Sequence, residues 1–572
     1  MVNAPADIVR WRFYAIAALL GLMALALIAR LAVLQVVDVE RGYRFLQSQG
    51  NARTTRTEVI PAHRGQILDR NGEPLAISTP VVSLWADPRE LADSQQEWPQ
   101  LAKALGMPLK DLKARIAQHD GRAFMYLRRH VPPQDAAQIL ERDYRGVYGR
   151  QEYRRFYPAG EVAAHVLGFT NIDDAGQEGL ELAFDEWLRG EPGAKRVLKD
   201  LRGRVIRDID AGRMARPGND LMLSIDLRLQ HMAYRELKAA LARYDAKAGS
   251  IVLLDNASGE VLAMVNQPSF NPNDRSQRRP ATMRNRAITD QLEPGSTMKP
   301  LTMVAALESG QYSIDTVINT SPGWIRVGGK TLLDPVNYGP ISLTTVLAKS
   351  SQVGTSKVAL SLDMQALWGV FERFGLGRST GSGFPGENSG VLPNRERWRP
   401  IEQATFAFGY GMTATPLQMA QAYGVFANRG EFVPATLLKR QEPVEGQRVV
   451  AAPIAEDVVK MLEAVVQAGT GTRARVPAYS VAGKSGTVHK VTGQGYADDR
   501  YRAIFAGFAP AQHPRVVAVV IIDEPSTAHY YGGEIAAPVF ANVVAGAMRL
   551  LNVAPALPRQ LVQKPPLGEP LG

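Results

Sequence analysis

The chain has 572 residues, of which 45% are hydrophobic and 21% charged, a composition that fits several globular domains and excludes a wholly disordered or fibrous protein. It contains no cysteine, which excludes disulfides, thiolate metal sites and cysteine nucleophiles. The net charge of +10 indicates a modestly basic surface, and the absence of a long basic run gives no support to nucleic-acid binding.

An uncharged apolar run lies near the start of the chain. Residues 13–29 read FYAIAALLGLMALALIA, and apolar residues continue beyond Arg30 to residue 37. These 17 residues would span about 26 Å as a helix, slightly less than the hydrocarbon core of a bilayer. The run is longer than the apolar part of a cleaved signal peptide, so we predict an uncleaved anchor over residues 13–37. Arg10 and Arg12 precede it, which places tail 1–12 in the cytoplasm and the rest outside.

Residues 38–218 have a mixed composition, with short apolar stretches, many charges and turn signals such as the Asp-Arg-Asn-Gly of residues 69–72. We predict an α+β pedestal over this range. Pro217 and Gly218 mark its end, and the proline-rich residues 553–572 are expected to form a loose tail.

The pattern changes from residue 219 onward, where we predict one domain over 219–552. Asp226 is a candidate N-cap for a helix, and two apolar runs around the turn at 256–259 predict a β-hairpin. Three more strand-like runs (479–487, 502–509 and 515–523) and an apolar helix (536–551) follow, while 280–475 are mostly helical in pattern. The simplest topology is an antiparallel sheet of about five strands, built from both ends of the domain, with a helical insertion.

Three short motifs in this domain carry residues that could do chemistry. Ser296 and Lys299 are three residues apart, which places them on one face if a helix starts at Ser296. The second motif is Ser350-Ser351-Gln352, and the third is Lys484-Ser485-Gly486-Thr487 on a strand-like run. Each motif alone is weak, because a capping serine, a polar loop or a strand end would look the same.

The three motifs together resemble the signature set SxxK, SxN and K[ST]G of the penicillin-recognising serine acyltransferases. They occur in that order, separated by 54 and 134 residues. The fold that this resemblance implies is the penicillin-binding transpeptidase fold, an α+β sheet with a helical insertion, in agreement with the pattern above.

The resemblance extends to the N-terminal module. The stretch RGQILDRNG at 64–72 is similar to a signature of class B, high-molecular-weight penicillin-binding proteins, as are segments 155–158, 164–169 and 179–181. His165 within them is expected to be structural. The phrases PAHRGQILDRNGEPLA and FAFGYGMTATPLQMA most resemble the septal, division-type members (the penicillin-binding protein 3 group), with the elongation type as the nearest alternative.

The resemblance implies roles for the motif residues in peptidoglycan crosslinking. Ser296 would be the acylated nucleophile, Lys299 its proton acceptor, Ser350 a proton relay, and Lys484 a cation that holds Ser350 and attracts the substrate carboxylate. Backbone N–H groups of Ser296 and Thr487 would form the oxyanion hole. The residues expected to bind substrate are Gln352, Ser485, Gly486 and Thr487.

Gln352 departs from the family pattern, which normally has Asn at this position. Both are amides with the same donors and acceptor, but Gln is one methylene longer and its amide would project about 1.5 Å further. The departure bears on rate and β-lactam profile more than on reaction class. No metal and no organic cofactor is expected, because side chains and backbone supply the nucleophile, base and electrostatics.

The resemblance also implies location and partners. It indicates a single-pass protein of the bacterial inner membrane with a periplasmic catalytic domain, acting on peptidoglycan stem peptides and inhibited by β-lactam antibiotics. Expected partners are a membrane-embedded glycan polymerase and other division-complex proteins. Four alternatives stay open: an elongation-type or conditional paralogue, a D,D-carboxypeptidase, a serine β-lactamase, and a non-catalytic β-lactam sensor or scaffold.

Overall fold

The computed structural model describes residues 7–35, 45, 55–199, 205–493, 495–526 and 530–555. Most of the predicted tail 553–572 and the first residues of tail 1–12 lie outside these ranges. The chain divides into two compact units, one formed by 1–63 with 190–218 and the other by 64–189 with 219–572.

The first unit contains the N-terminal helix Asp7–Gln35 and a small sheet. Within the described ranges, this is the one helix long and apolar enough to cross a membrane, over Arg10–Val33. Residues 13–35 of the predicted anchor therefore belong to one continuous helix, and residues 36 and 37 lie outside the described ranges. The sheet is antiparallel, and Gly193–Lys199 is its central strand between Thr55–Ile60 and Val205–Arg213.

The second unit begins with an α+β module. Its sheet has the strands Ile67–Leu68, Pro74–Ala86, Met125–Val131, Val147–Phe156 and Leu221–Met222, and the long strand Pro74–Ala86 pairs with three of the others. Four helices pack around a core on this sheet: Pro88–Ala92, Trp98–Leu105, Leu109–Gln118 and Pro133–Leu140. Short elements follow at Ala164–Leu167, Phe169–Thr170, Gly176–Glu178, Gly179–Ala183 and Asp185–Arg189.

A buried ion network links three segments of this module. Glu181 is completely buried and accepts from Arg64, with 2.7 Å between Nη2 and Oε2, and from Arg155, with 2.6 Å between Nε and Oε1. Arg155 also donates to the carbonyl oxygen of Gly65 at 2.7 Å. A buried carboxylate needs such compensation, because an unpaired charge away from water is costly. These residues come from the family-like segments, so their role here is to join parts of the module.

The rest of the second unit is built on a five-stranded antiparallel sheet. Its strands are β1 (Ala248–Asp255), β2 (Val261–Gln267), β3 (Ala482–Thr492), β4 (Gly495–Ala509) and β5 (Val516–Asp523), in the order β2-β1-β5-β4-β3. The predicted five-stranded sheet from both ends of the domain is confirmed. Strand β3 lies at the sheet edge, and with β4 it forms a longer hairpin than predicted.

Alternate residues of these strands enter two separate cores, as the period of two in a strand requires. The four helices that position the site are α1 (Leu227–Tyr244), α2 (Lys299–Glu308), α3 (Gln352–Ser361) and α4 (Gly532–Leu550). Helices α1 and α4 cover one sheet face. Asp226 caps α1 by accepting from the backbone N–H of Arg228 at 3.0 Å, as predicted, and α4 begins four residues earlier than expected.

The insertion on the other face is mostly helical, as predicted. Besides α2 and α3, its helices are Pro280–Met283, Arg286–Thr289, Leu343–Ala348, Met364–Arg373, Pro400–Phe406, Pro416–Ala427 and Ala452–Ala468. Three small two-stranded antiparallel sheets were not predicted: Val317–Asn319 with Pro340–Ser342, Trp324–Val327 with Lys330–Leu333, and Glu431–Phe432 with Gln447–Arg448.

Candidate active site

Ser296 lies on a tight turn in front of helix α2. Gly295–Met298 form a 3-10 turn and the α-helix begins at Lys299. In a 3-10 turn residues three apart also lie on one face, as considered for Ser296 and Lys299. Pro300 occupies the first turn of α2, where backbone N–H groups have no partner within the helix, so its missing N–H costs no hydrogen bond. Tyr423 holds the turn in place, since its hydroxyl donates a hydrogen bond of 2.7 Å to the carbonyl oxygen of Thr297. Ser296 is half-buried in this setting.

Lys299 is completely buried and its amine contacts the second motif. Nζ donates to the carbonyl oxygen of Ser350 at 2.5 Å and to its Oγ at 3.1 Å. Burial lowers the pKa of Lys299 to about 7, and the charge of Asp334 opposes this shift only in part. A large fraction of the amine is therefore neutral near pH 7 and able to accept a proton.

Ser350 owes its contact with Lys299 to an unusual backbone. It lies between helix Leu343–Ala348 and α3 and has a φ of +57°. This is a left-handed backbone conformation that residues other than Gly rarely adopt. In this conformation its carbonyl oxygen and its hydroxyl both accept from one amine. Such strain persists only where the surrounding structure holds it in place.

Asp334 holds this part of the site, although no sequence motif points to it. Its carboxylate accepts from Ser351 Oγ at 2.5 Å, from the backbone N–H of Gln352 at 2.6 Å and from that of Val353 at 3.2 Å. It therefore satisfies the first N–H groups of α3, which no residue of the helix itself can do. Asp334 follows a hairpin and belongs to no short motif, so only proximity in the fold reveals it.

Gln352 is the first residue of α3 and is half-buried. Its backbone is held by Asp334, whereas its side-chain amide makes no hydrogen bond to any residue that the structure describes. The amide is thus positioned by the helix start and remains available for a ligand.

Lys484 lies on the edge strand β3 and is also completely buried. Its Nζ donates to the carbonyl oxygen of Ser485 at 2.9 Å, while Ser485 Oγ shares a hydrogen bond of 2.8 Å with Thr470. Burial lowers the pKa of Lys484 well below its usual value, and the nearby charge of Lys299 lowers it further. It is therefore unfavourable for both amines to be protonated at once, unless a negatively charged group lies beside them.

Strand β3 and the serine turn approach each other closely. A Cβ added at Gly486 would lie 2.9 Å from Thr297 Cγ2, and one added at Gly295 would lie 2.2 Å from Val488 Cγ1. Both glycines are needed for this contact, since a real Cβ rarely comes so near another atom. Thr487 fixes the strand on its other side by accepting from the backbone N–H of Gly532, the first residue of α4, at 2.9 Å.

The fold thus gathers the three motifs into one region. Lys299 and Ser350 are in direct contact, Lys484 is close enough to alter the charge balance, and β3 packs on the turn that carries Ser296. Within the described residues there is no group of three or more histidine, aspartate or glutamate side chains arranged to hold a metal.

His165, expected to be structural, lies in a packed position. It is buried and hydrogen-bonded to the carbonyl oxygen of Thr282 at 2.8 Å, and burial lowers its pKa to about 4, as expected of a structural histidine.

Comparison with known proteins identifies the family. Residues 249–545 match the penicillin-binding protein transpeptidase domain, and residues 59–223 match the penicillin-binding protein dimerisation domain. The chain is 43% identical to the peptidoglycan D,D-transpeptidase FtsI of Escherichia coli K12, over 96% of this chain and 93% of the relative. It is also 43% identical to the probable peptidoglycan D,D-transpeptidase PbpC of Pseudomonas aeruginosa, over 95% of this chain and 96% of the relative.

Solved structures agree with this assignment. The fold is similar to that of penicillin-binding protein 3 from Mycobacterium tuberculosis in complex with aztreonam, with a TM-score of 0.68, 29% identity, and coverage of 88% of this chain and 99% of the other. The transpeptidase domain of penicillin-binding protein 3 from Burkholderia pseudomallei is 40% identical, with a TM-score of 0.54 and coverage of 59% and 98%. The chain therefore belongs to the class B penicillin-binding proteins, and within them it is FtsI-like.

Proposed function

We propose that this protein is a peptidoglycan D,D-transpeptidase that crosslinks stem peptides during septal cell-wall synthesis and is acylated by β-lactams. The observation that carries the proposal is the buried amine of Lys299, with a pKa of about 7 and a direct contact with Ser350. The FtsI relatives, similar over nearly the whole chain, support the same reaction and the septal role.

Ser296 is the nucleophile in this proposal. Its Oγ attacks the carbonyl carbon of the penultimate D-alanine, and its proton passes to the neutral amine of Lys299. The bond between that carbonyl and the nitrogen of the terminal D-alanine breaks, leaving an acyl ester on Ser296. The departing nitrogen takes a proton through the Ser350 hydroxyl, which already accepts a hydrogen bond from Lys299. Free D-alanine leaves and the site returns to its starting protonation state.

The second half of the reaction reverses these roles. An amine from a neighbouring stem peptide attacks the ester carbonyl, loses a proton to the lysine and serine pair, and forms the new peptide bond. Ser296 regains its proton and is released. A β-lactam enters by the same first step, but its ring opens without losing a leaving group, so the ester persists.

The third motif would bind the substrate around the ester. In this proposal the backbone N–H groups of Ser296 and Thr487 stabilise the oxyanion, an effect of about 3 kcal/mol for each donor. The two buried lysines have too little negative charge beside them to favour their protonated forms. The substrate carboxylate supplies that charge, so binding favours protonation of Lys484. Gln352, Ser485 and Gly486 would contact the peptide, which lies along the open edge of β3 as an added strand.

We also propose the placement of the chain in the cell. Helix Asp7–Gln35 anchors it once in the inner membrane, with Arg10 and Arg12 on the cytoplasmic side and the remainder in the periplasm. The pedestal covers residues 38–218 and the transpeptidase domain residues 219–552. Anchor and pedestal would dock the enzyme to a glycan polymerase and other division-complex proteins.

Mass spectrometry after penicillin treatment tests the nucleophile. One acyl adduct is expected on the peptide that contains Ser296, and none in Ser296→Ala. Thr297→Val, which removes the neighbouring hydroxyl, is a poor control because the Thr297 side chain is buried and its loss would disturb the packing. Ser309→Ala, at the far end of α2, should be acylated like the wild type. An adduct that survives in Ser296→Ala would contradict the assignment.

Analysis of muropeptides made by the purified protein tests the acceptor. Crosslinked dimers indicate transfer to an amine, whereas trimmed monomers would indicate a carboxypeptidase. Rapid, repeated hydrolysis of nitrocefin would instead indicate a β-lactamase. Complementation of a division-defective strain by the wild type, but not by Ser296→Ala, is expected if the enzyme acts at the septum, and a scaffold would complement in both forms.

A further inference from the structure

Pro300 directly follows the lysine of the first motif and limits where helix α2 can begin. An α-helix bonds each backbone N–H to the carbonyl oxygen four residues earlier. If the helix began at Ser296 or Thr297, residue 300 would have to donate to the carbonyl oxygen of Ser296. Proline has no N–H, and its ring would collide with that carbonyl group. Pro300 therefore prevents an α-helix from beginning before Met298, and α2 begins at Lys299.

The carbonyl oxygen of Ser296 has a different partner, the backbone N–H of Lys299. This bond belongs to the 3-10 turn Gly295–Met298. Because a 3-10 helix has about three residues per turn, side chains three residues apart lie one above the other. In an α-helix, with about 3.6 residues per turn, the same two side chains would be rotated apart by about 60°. The tight turn therefore sets the side chains of Ser296 and Lys299 in the same direction.

Bonds from neighbouring segments support the same turn. Tyr423 donates to the carbonyl oxygen of Thr297 at 2.7 Å, and Thr297 Oγ1 donates to the carbonyl oxygen of Pro294 at 2.7 Å. Gly295 donates its backbone N–H to the carbonyl oxygen of Gly409 at 3.3 Å. The turn is therefore held by packed neighbours as well as by its own sequence, and a test has to separate the two.

The amine of Lys299 is held at its other end, independently of the turn. Nζ donates to the carbonyl oxygen of Ser350 at 2.5 Å and to its hydroxyl at 3.1 Å. Because these bonds keep the amine in place, a rotation of Ser296 changes the distance between its Oγ and Nζ. A misplacement of reacting atoms by about 1 Å can cost about 100-fold in rate. The geometry of the turn therefore controls how well the serine and the proposed proton acceptor are aligned.

We propose that Pro300 is a positioning residue for the acylation step. By excluding an α-helix before Lys299, it keeps Ser296 and Lys299 in the eclipsed arrangement from which the hydroxyl proton passes to the amine. Pro300 touches no substrate in this proposal and acts only through the turn. The inference rests on the proposed function, since it takes the same nucleophile and the same proton acceptor.

Stopped-flow acylation of the full-length protein in detergent by a fluorescent penicillin tests this role. Pro300→Ala gives residue 300 an N–H that can donate to Ser296, and it removes the ring. We expect the acylation rate constant at saturating penicillin to fall about tenfold or more, while the dissociation constant of the noncovalent complex changes by less than about threefold. The midpoint of the pH profile should stay near 7, because Lys299 keeps its contacts with Ser350.

Two further variants separate the N–H from packing, since Pro300 is buried. Pro300→Val also carries an N–H but fills more of the buried space than Ala, so it should show a similar loss of rate. Pro453→Ala is the matched control, because Pro453 is likewise the second residue of a helix, Ala452–Ala468, and is exposed. It should be acylated at the wild-type rate.

Acylation of both Pro300 variants at the wild-type rate would overturn the role of Pro300 alone. A loss in Pro300→Ala that Pro300→Val does not share would indicate packing and would also overturn it. A crystal structure of Pro300→Ala should show the N–H of residue 300 donating to Ser296, and an unchanged 3-10 turn would contradict the proposal. A wild-type protein that is never acylated on Ser296 would instead refute the proposed function, and this role with it.

Discussion

With Lys299 as the proton acceptor that we propose, its buried amine should make the acylation rate depend on pH in a specific way. With a pKa of about 7 instead of 10.5, roughly half of the amine is neutral at pH 7, against about one part in 3,000 for an ordinary lysine. The neutral fraction is about one-tenth at pH 6 and about nine-tenths at pH 8. The second-order rate of acylation should therefore rise about tenfold between pH 6 and 8, with its midpoint near 7.

A fluorescent penicillin whose own groups do not titrate in this range measures that rate by stopped flow. Lys299→Met should reduce acylation at least about 100-fold and abolish the pH dependence. A flat profile in the wild type, or a midpoint above pH 9, would refute the assignment of Lys299 as the proton acceptor.

The same lysine has a consequence for stability. Because its pKa is lower in the folded state, the unfolded state binds more protons between about pH 7 and 10.5, and stability rises with pH across that window. The full cost of charging the buried amine is about 5 kcal/mol, from the difference between about 7 and 10.5. The free energy of unfolding, measured by denaturant titration from pH 7 to 9, should rise with pH in the wild type. In Lys299→Met this rise should be less steep by up to about 1.4 kcal/mol per pH unit. Equal slopes would mean that the folded amine keeps an ordinary pKa.

Three further substitutions test how the site and module are held. Asp334→Asn removes the carboxylate that caps α3, so we expect a loss of about 1–3 kcal/mol in denaturant titration and slower acylation; unchanged acylation would show that α3 positions itself. Gly486→Ala places a methyl group 2.9 Å from Thr297 Cγ2, so it should slow acylation and lower the free energy of unfolding by about 1–3 kcal/mol. Acylation at the wild-type rate would contradict this reasoning. Glu181→Gln leaves the buried Arg155 without its counter-charge and leaves Arg64 paired with Asp185 alone, so it should lower stability by about 3–5 kcal/mol. A neutral effect in thermal melts would argue against the ion network.

Much of the fold followed from periodicity and turn chemistry. The capped helix after Asp226, the hairpin of β1 and β2, and a sheet assembled from both ends of the domain are all local patterns with a clear period. The three two-stranded sheets of the insertion were not predicted, because strands of two to four residues are too short to show a period. The 3-10 turn at Ser296 cannot be told from an α-helix by periodicity in the sequence, since the two differ by only a fraction of a residue per turn.

The site was predictable where motifs mark it and hidden where they do not. Ser296, Lys299, Ser350 and Lys484 stand in recognisable patterns, whereas Asp334 acts across a gap in sequence that no motif spans. The left-handed backbone of Ser350 was equally hidden, because a serine gives no sign of positive φ.

The arrangement of the five-stranded sheet has a consequence for how the enzyme comes into being. Its first two strands are made early, but the other three arrive only after the long helical insertion has been synthesised. Pairings between such distant stretches form slowly, because a large loop must close first. A growing or prematurely ended polypeptide therefore holds Ser296 without its edge strand, and we expect no acylation of Ser296 until the last fifth of the chain is in place.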